Sequence, residues 1–200
     1  MKKLIKQVVG SGFLLHYQAL ELFAREGDWH ARDYMKYVKS LDAWEIDPAF
    51  EKKLRDNLPN AEIKITDTFA ELRTTSKKFD FVVSDNWMAV FGDHQFCEHF
   101  EMFPDIFRIL QDKSVLVLNV IPSITARKKK RFPYLLNEEH CTRRSAFYKT
   151  AEPKVIPIDH MLPIYADWAN QSGFKLARHL VVERSMIHYL ALFLTKNTSS

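Results

Sequence analysis

The sequence of 200 residues has few glycines, few cysteines and no long hydrophobic run. Its five glycines and its 46% of hydrophobic residues are enough for one well-filled core, so we expect order along most of the chain. The most apolar runs, 115–120 and 190–194, fall far short of the roughly 20 residues that a membrane helix requires. The basic first residues are not followed by the unbroken apolar stretch of a signal peptide. We therefore expect no membrane span and a cytoplasmic location.

The number of cysteines and the net charge argue against further classes of protein. Cys97 and Cys141 have neither the number of a disulfide scaffold nor the spacing of a metal site, and we interpret both as ordinary thiols. His94 and His99 flank Cys97 without the ligand spacing of a zinc site, so we predict no metal. The net charge of +4 is modest for this length and does not by itself indicate nucleic-acid binding.

Short β-rich runs alternate with helical patterns in the first 120 residues. The β-rich runs lie at 18–24, 41–46, 61–66, 79–84 and 114–119. The clearest helical pattern precedes the fifth run and consists of Phe96, Phe100, Phe103, Phe107 and Leu110. Such alternation is typical of parallel strands joined by helical crossovers, which predicts a doubly wound sheet.

The remainder of the chain departs from this alternation. Residues 122–150 are rich in Lys and Arg and lack a long apolar period, which predicts a basic insertion or lid within one domain spanning 1–200. A helical pattern before Gly173 is followed by two β-rich runs at 174–182 and 187–196. The linker between these runs is too short for a crossover helix, so the last two strands must be antiparallel.

Acidic residues recur at the ends of the first four predicted strands. They are Glu21, Glu45, Asp67 and Asp85. In open α/β sheets, ligands bind beyond the carboxyl ends of the strands. Clustered carboxylates suit a ligand that is rich in hydroxyls or positively charged. Taken singly, each could be a surface acid or a helix cap, and capping is the expected role of Asp47 before Pro48.

Residues 20–29, Leu-Glu-Leu-Phe-Ala-Arg-Glu-Gly-Asp-Trp, resemble the first motif of the class I S-adenosylmethionine (SAM) dependent methyltransferases. In that motif an acidic residue precedes a glycine-rich turn that holds the amino acid part of SAM. Phe23 and Arg25 stand where the family usually has glycines, which permit positive φ and a close approach to the ligand. Arg25 would either contact the SAM carboxylate or block the pocket. The resemblance assigns to SAM the residues Glu21, Phe23, Arg25, Gly27 and Asp28.

Residues 43–48, Ala-Trp-Glu-Ile-Asp-Pro, resemble the second-strand motif of the same family, whose acidic residue accepts hydrogen bonds from both ribose hydroxyls. By that match Glu45 binds the ribose and Ile46 packs on the adenine. Asp67 would accept a hydrogen bond from the adenine amino group, and the backbone of Thr68 or Phe69 would complete adenine recognition.

The usual strand order of the family also matches the closing pair of strands, so the resemblance covers nearly the whole chain. It implies a Rossmann-like, doubly wound, mostly parallel seven-stranded α/β sheet with an antiparallel last strand and helices on both faces. It also implies SAM as the cofactor.

The segment Asp85-Asn86-Trp87 follows the fourth strand and, in this family, faces the donor methyl. We expect Asp85, next to Asn86, to orient a substrate hydroxyl or amine or to take its proton. Trp87 would form a wall of the substrate pocket, and His94 in the following loop is a further candidate base. The segment differs from the Asn-Pro-Pro-Tyr type of signature, so we do not infer a nucleic-acid base as the acceptor.

The basic run 127–131, Arg143 and Arg144 lie close in sequence to several aromatic residues. Such a mixture suits a phosphate-bearing or carboxylate-bearing substrate, although a solvated charge run would look similar. The sequence thus favours transfer of a methyl, or another SAM-derived group, to a small anionic acceptor. The alternatives are a non-catalytic methyltransferase-like scaffold subunit and an RNA-binding protein that uses the basic insertion.

Overall fold

The computed structural model describes residues 1–14, 16–28, 30–85, 88–91, 94–123, 138–183 and 187–197, with the backbone alone for 88–91 and 94–97. In chain order the strands are β1 (Gln18–Leu22), β2 (Ser40–Glu45), β3 (Glu62–Ile65), β4 (Phe79–Ser84), β5 (Met88–Phe91), β6 (His94–Cys97), β7 (Leu110–Val120), β8 (Phe174–Val182) and β9 (His188–Lys196). The α-helices are α1 (Lys2–Gly10), α2 (Ala31–Tyr34), α3 (Glu51–Asn57), α4 (Thr68–Thr74), α5 (Phe103–Ile106), α6 (Glu138–Tyr148) and α7 (Ile158–Gln171).

Seven of these strands form one sheet in the order β3-β2-β1-β4-β7-β9-β8, and β5 pairs with β6 in a separate hairpin. The pairs from β3 to β7 are parallel. Strand β9 runs antiparallel to both of its neighbours, β7 and β8. The direction in which the chain winds reverses between β1 and β4, which is where an open α/β sheet binds its ligands.

Alternate residues of the central strands point into two separate cores, as the period of a strand requires. On one face the sheet residues pack against α4 to α7, and this core includes Leu22, Leu72, Val82, Ile106, Leu118, Tyr148 and Tyr165. On the other face they pack against α1 to α3, and this core includes Leu4, Ala19, Tyr34, Leu54, Phe81, Val83 and Val117. The predicted Rossmann-like, doubly wound sheet with an antiparallel last strand and helices on both faces is confirmed.

The long helix predicted from the spaced phenylalanines is wrong. Its first part is the β5–β6 hairpin, and α5 covers only Phe103–Ile106 before a 3₁₀ turn at Phe107–Ile109. Pro104 has no amide hydrogen to donate and is best placed in the first turn of a helix, so the helix begins beside it. Phe100, Phe103 and Phe107 are buried all the same, and the rings of Phe103 and Phe107 are 5.3 Å apart.

The region predicted as a basic insertion is only partly described. The basic run 127–131 lies outside the described residues, whereas 138–148 form α6. His140, Arg144 and Tyr148 of this helix are buried, so this part of the region is packed into the core on α7. No helix in the described part of the chain has the length and apolar character needed to cross a bilayer.

Candidate functional site

The turn after β1 has an unusual backbone. Phe23, Arg25 and Gly27 adopt φ values of 57°, 50° and 67°, so alternate residues lie in the left-handed region. This conformation costs an L-residue other than glycine roughly 1–2 kcal/mol. The chain therefore keeps the backbone of a glycine-rich turn at three alternate positions, although only the last of them is glycine.

Contacts with β2 and α3 impose this conformation. The amide of Ala24 donates to the carbonyl of Trp44 at 2.9 Å, and the amide of Gly27 donates back to the carbonyl of Ala24 at 2.9 Å. A Cβ on Gly27 would lie 2.7 Å from Cδ1 of Leu54 and 2.9 Å from Leu58. Only glycine fits there, because the turn lies directly against α3.

Glu45 ends β2 at the same edge of the sheet and is 5% exposed. Its Oε1 accepts hydrogen bonds from the amides of Ile46 and Asp47, both at 2.9 Å, and its Oε2 accepts one from the amide of Arg25 at 2.6 Å. A carboxylate has about four acceptor positions, so one on Oε2 has no donor among the described residues. Backbone amides thus fix the carboxylate in place and leave it room for one further donor.

Glu21 does not lie with the other acids. It is 6% exposed within β1 and accepts a hydrogen bond from the hydroxyl of Tyr34. Burial raises the pKa of this carboxyl to about 8, and the hydrogen bond from Tyr34 offsets only part of that effect. Glu21 is therefore protonated at neutral pH and belongs to the core rather than to the open edge.

The predicted adenine-binding residues come together beyond β2 and β3. Asp67 is exposed and caps α4 by accepting a hydrogen bond from the amide of Phe69 at 2.8 Å. The Thr68 hydroxyl is buried with no hydrogen-bond partner among the described residues. The ring of Phe69 lies 5.9 Å from that of Phe23, and Ile46 is half-buried nearby at the end of β2.

Two further acids lie at this edge. Asp47 caps the turn at Pro48–Phe50 by accepting a hydrogen bond from the amide of Ala49 at 2.9 Å, the role expected for it. Asp28 is exposed in the turn that follows β1.

Four polar side chains meet beyond β4, and the sequence identified only one of them. Nε2 of His30 lies 2.7 Å from Oδ2 of Asp85 and 2.6 Å from the hydroxyl oxygen of Tyr189. The Asn119 amide donates to Oδ1 of Asp85 and, at 2.6 Å, to its backbone carbonyl. Asn119 interrupts an apolar central strand, and this was the one sequence signal that could have revealed the group.

The other predicted catalytic and substrate residues lie elsewhere. Asn86 and Trp87 are outside the described residues, and His94 is described only as backbone in β6. Arg143 pairs with Glu101 and Glu139.

Arg144 is fully buried and its guanidinium is engaged by the protein itself. It pairs with Glu98 and donates to the carbonyls of Pro153 at 2.6 Å and Ile121 at 2.8 Å. The sequence had predicted that this guanidinium faces a substrate. It is instead enclosed in the core.

No protein-family model and no curated protein matches the sequence, but solved structures do. A Galdieria sulphuraria protein, provisionally named a sarcosine dimethylglycine methyltransferase, has a TM-score of 0.58 at 12% identity, over 98% of this chain and 85% of that one. The magnesium protoporphyrin IX methyltransferase of Synechocystis, with bound S-adenosylhomocysteine (SAH), has a TM-score of 0.55 at 11% identity, over 98% and 83%.

A third similar structure is TYW2 from M. jannaschii in complex with SAM, with a TM-score of 0.54 at 15% identity, over 98% of this chain and 75% of that one. At such low identities the likeness concerns the fold. The strand order, the turn after β1 and these structures lead to one conclusion: this chain has the fold of the class I SAM-dependent methyltransferases.

Proposed function

We propose that the protein is a SAM-dependent methyltransferase. The observation that carries this proposal is the left-handed backbone at Phe23, Arg25 and Gly27, directly beside the Glu45 carboxylate. Two non-glycine residues within three positions do not adopt this conformation without a compensating contact. Here the Glu45 carboxylate supplies that contact by accepting a hydrogen bond from the Arg25 amide. The same turn holds the amino acid part of SAM in the family that the sequence resembles.

The polar groups at the edge fit SAM. Its donors are two ribose hydroxyls, an ammonium and an adenine amino group. The edge offers one acceptor position on Glu45, the exposed carboxylate of Asp67 and the buried Oδ1 of Asn119, which has no partner among the described residues. Buried polar atoms usually have partners, so an orphaned acceptor at a ligand edge supports a donor from outside the chain.

In this proposal each part of the edge has its own task. Glu45 binds the ribose, Ile46 and Phe69 pack on the adenine, and Asp67 accepts from its amino group. The exposed guanidinium of Arg25 supplies a cation for the carboxylate of SAM. When bound, SAM supplies a methyl group on a positively charged sulfur, and the protein has to align the acceptor with it and exclude water.

The anionic acceptor expected from Arg143 and Arg144 is not part of this proposal. Arg144 has no exposure and is bonded to Glu98 and two carbonyls, and Arg143 is paired with two glutamates. Neither presents a guanidinium to a substrate.

Calorimetric titration of SAM and SAH into the wild-type protein and Glu45→Gln tests the proposal. We expect wild-type binding, weakened at least about tenfold in the variant because a hydrogen bond to a charged group is worth about 1.5–3 kcal/mol. Glu62→Gln is the matched control, since Glu62 is exposed at the opposite end of the neighbouring strand β3, and it should bind as the wild type does.

Thermal melting of both variants checks that they fold. Absence of SAM and SAH binding to the wild type would contradict the proposal. Salt-sensitive binding of generic RNA in its place would favour the RNA-binding alternative.

A further inference from the structure

The group formed by His30, Asp85, Asn119 and Tyr189, which we call the edge quartet, has an order in its contacts. Both oxygens of the Asp85 carboxylate are engaged: Oδ1 accepts from the Asn119 amide and Oδ2 lies 2.7 Å from Nε2 of His30. The hydroxyl of Tyr189 lies 2.6 Å from the same nitrogen. The carboxylate is thus fixed from one side and fixes an imidazole on the other.

Two members of the quartet lie in central strands of the sheet, and the other two lie in segments next to it. Asn119 in β7 and Tyr189 in β9 lie directly opposite each other in the antiparallel pair, and both are buried. Asp85 directly follows β4, and His30 lies between the left-handed turn and α2. Four segments that are distant in sequence therefore hold these side chains at the carboxyl edge, beside the proposed SAM site.

The pair at the centre of the quartet is accessible from outside the protein. The side chains of His30 and Asp85 are 14% and 12% exposed, whereas Asn119 and Tyr189 are almost completely buried. A histidine–carboxylate pair of this kind contributes little to stability compared with apolar residues of the same volume. The pair lies at the switch between β1 and β4, which is where open α/β sheets bind their ligands.

A carboxylate that accepts from one ring nitrogen of a histidine fixes the tautomer and stabilises the imidazolium that forms when the ring takes a proton. Histidine is also the side chain whose ordinary pKa suits proton transfer near neutral pH. The contacts of His30 are those of such a histidine, with Asp85 as the acceptor and Tyr189 as a second restraint on the ring.

We infer that His30 takes a proton from the methyl acceptor, and that this acceptor is a hydroxyl or an uncharged amine; the inference rests on the proposed SAM-dependent function. A lone pair on the acceptor oxygen or nitrogen attacks the methyl carbon. The bond between that carbon and the sulfonium breaks, and its electron pair stays on sulfur, giving the neutral thioether. Because Nε2 of His30 already donates to Asp85, the acceptor's proton goes to Nδ1, and the ring becomes an imidazolium paired with Asp85. Asp85, Asn119 and Tyr189 are positioning residues.

The test measures transfer of labelled methyl from SAM to two sets of probes. Phenol, 4-hydroxybenzoate and tyramine carry a proton that has to leave, whereas iodide and dimethyl sulfide do not. We expect wild-type transfer to at least one member of the first set. His30→Gln should lower kcat for it by about 10²–10⁴-fold, the usual contribution of a general base. Asp85→Asn should lower kcat as well, and Tyr189→Phe should do so to a smaller extent.

A pH profile separates proton transfer from a structural role. The acidic limb of the wild-type kcat profile should disappear in His30→Gln, and SAM affinity measured by calorimetry should stay within about threefold. His179→Gln is the control, because His179 is exposed on the edge strand β8. Tyr189→Phe keeps the ring and its packing, so it remains informative if the His30 variant does not fold.

The outcomes distinguish this inference from the proposed function. Absence of SAM binding to the wild type overturns the proposed function. If the wild type binds SAM, any one of three results overturns the inference alone. They are an unchanged kcat in His30→Gln, transfer only to iodide or dimethyl sulfide, and no transfer to phenol, 4-hydroxybenzoate or tyramine.

Discussion

Glu21 is a carboxyl group enclosed by the core on the face of α1 to α3. It is 6% exposed, and its described partner is the hydroxyl of Tyr34. Desolvation raises its pKa from 4.5 to about 8. The folded protein therefore binds one proton more than the unfolded chain between these two pH values. Its contribution to stability is complete below pH 4.5 and is lost as the pH rises through about 8.

We predict that Glu21→Gln removes this pH dependence, because glutamine resembles the protonated acid and can still accept from Tyr34. Relative to the variant, the wild-type free energy of unfolding should fall with pH between about 5 and 8, by at most about 1.4 kcal/mol per pH unit. Urea unfolding at pH 5, 6.5 and 8 measures it. Glu152→Gln, an exposed control, should keep the wild-type slope; parallel curves for Glu21→Gln and the wild type would contradict the prediction.

Arg25 has a strained backbone, and its side chain is exposed. Its φ of 50° is disfavoured for arginine and ordinary for glycine. We predict that Arg25→Gly raises the free energy of unfolding by about 0.5–1 kcal/mol, the relief of strain less the added entropy of the unfolded chain. Asp28→Gly, in the same turn without a positive φ, should instead lower it. Equal effects in chemical denaturation would show that the turn is not strained.

At the scale of elements, Arg144 joins α6 to three other segments. Its guanidinium pairs with Glu98 after β6 and donates to the carbonyls of Ile121 after β7 and Pro153 before α7. Burial raises the pKa of Glu98, and the charge of Arg144 lowers it. Burial also lowers the pKa of the neighbouring His140 to about 4, so this histidine is neutral at pH 7. Arg144 is therefore the principal cation in this part of the core.

We predict that Arg144→Met lowers the free energy of unfolding by about 3–5 kcal/mol, because it leaves the Glu98 carboxylate buried without its cation. Adding Glu98→Gln should restore a large part of the loss, as expected for two residues that act as a unit. Arg143→Ala, which breaks only partly exposed pairs, should cost less than about 1 kcal/mol. A double-mutant cycle by urea unfolding checks all three, and additive effects of Arg144→Met and Glu98→Gln would contradict the pairing.

At the scale of the whole molecule, local pattern predicted the sheet well and the polar group beyond β4 poorly. The strands were found because a buried strand is a continuous local signal, and the acid at the end of each strand could be read with it. His30, Asn119 and Tyr189 were missed because they meet only through the strand order, which brings residues 159 positions apart into contact. The environment of Arg144 was missed for the same reason, since local sequence does not determine whether a side chain is exposed.

The position of β9 has a consequence for synthesis. Among the described strands it is the last in chain order, yet it lies between β7 and β8 and contributes to the cores on both faces. A growing chain leaves the ribosome from its N-terminus at about 5–20 residues per second, so β7 and β8 emerge before the strand that joins them. Until then each has an unpaired edge, which is prone to aggregation. Tyr189 arrives with β9, so the nascent protein completes its sheet and the edge quartet in the same late event.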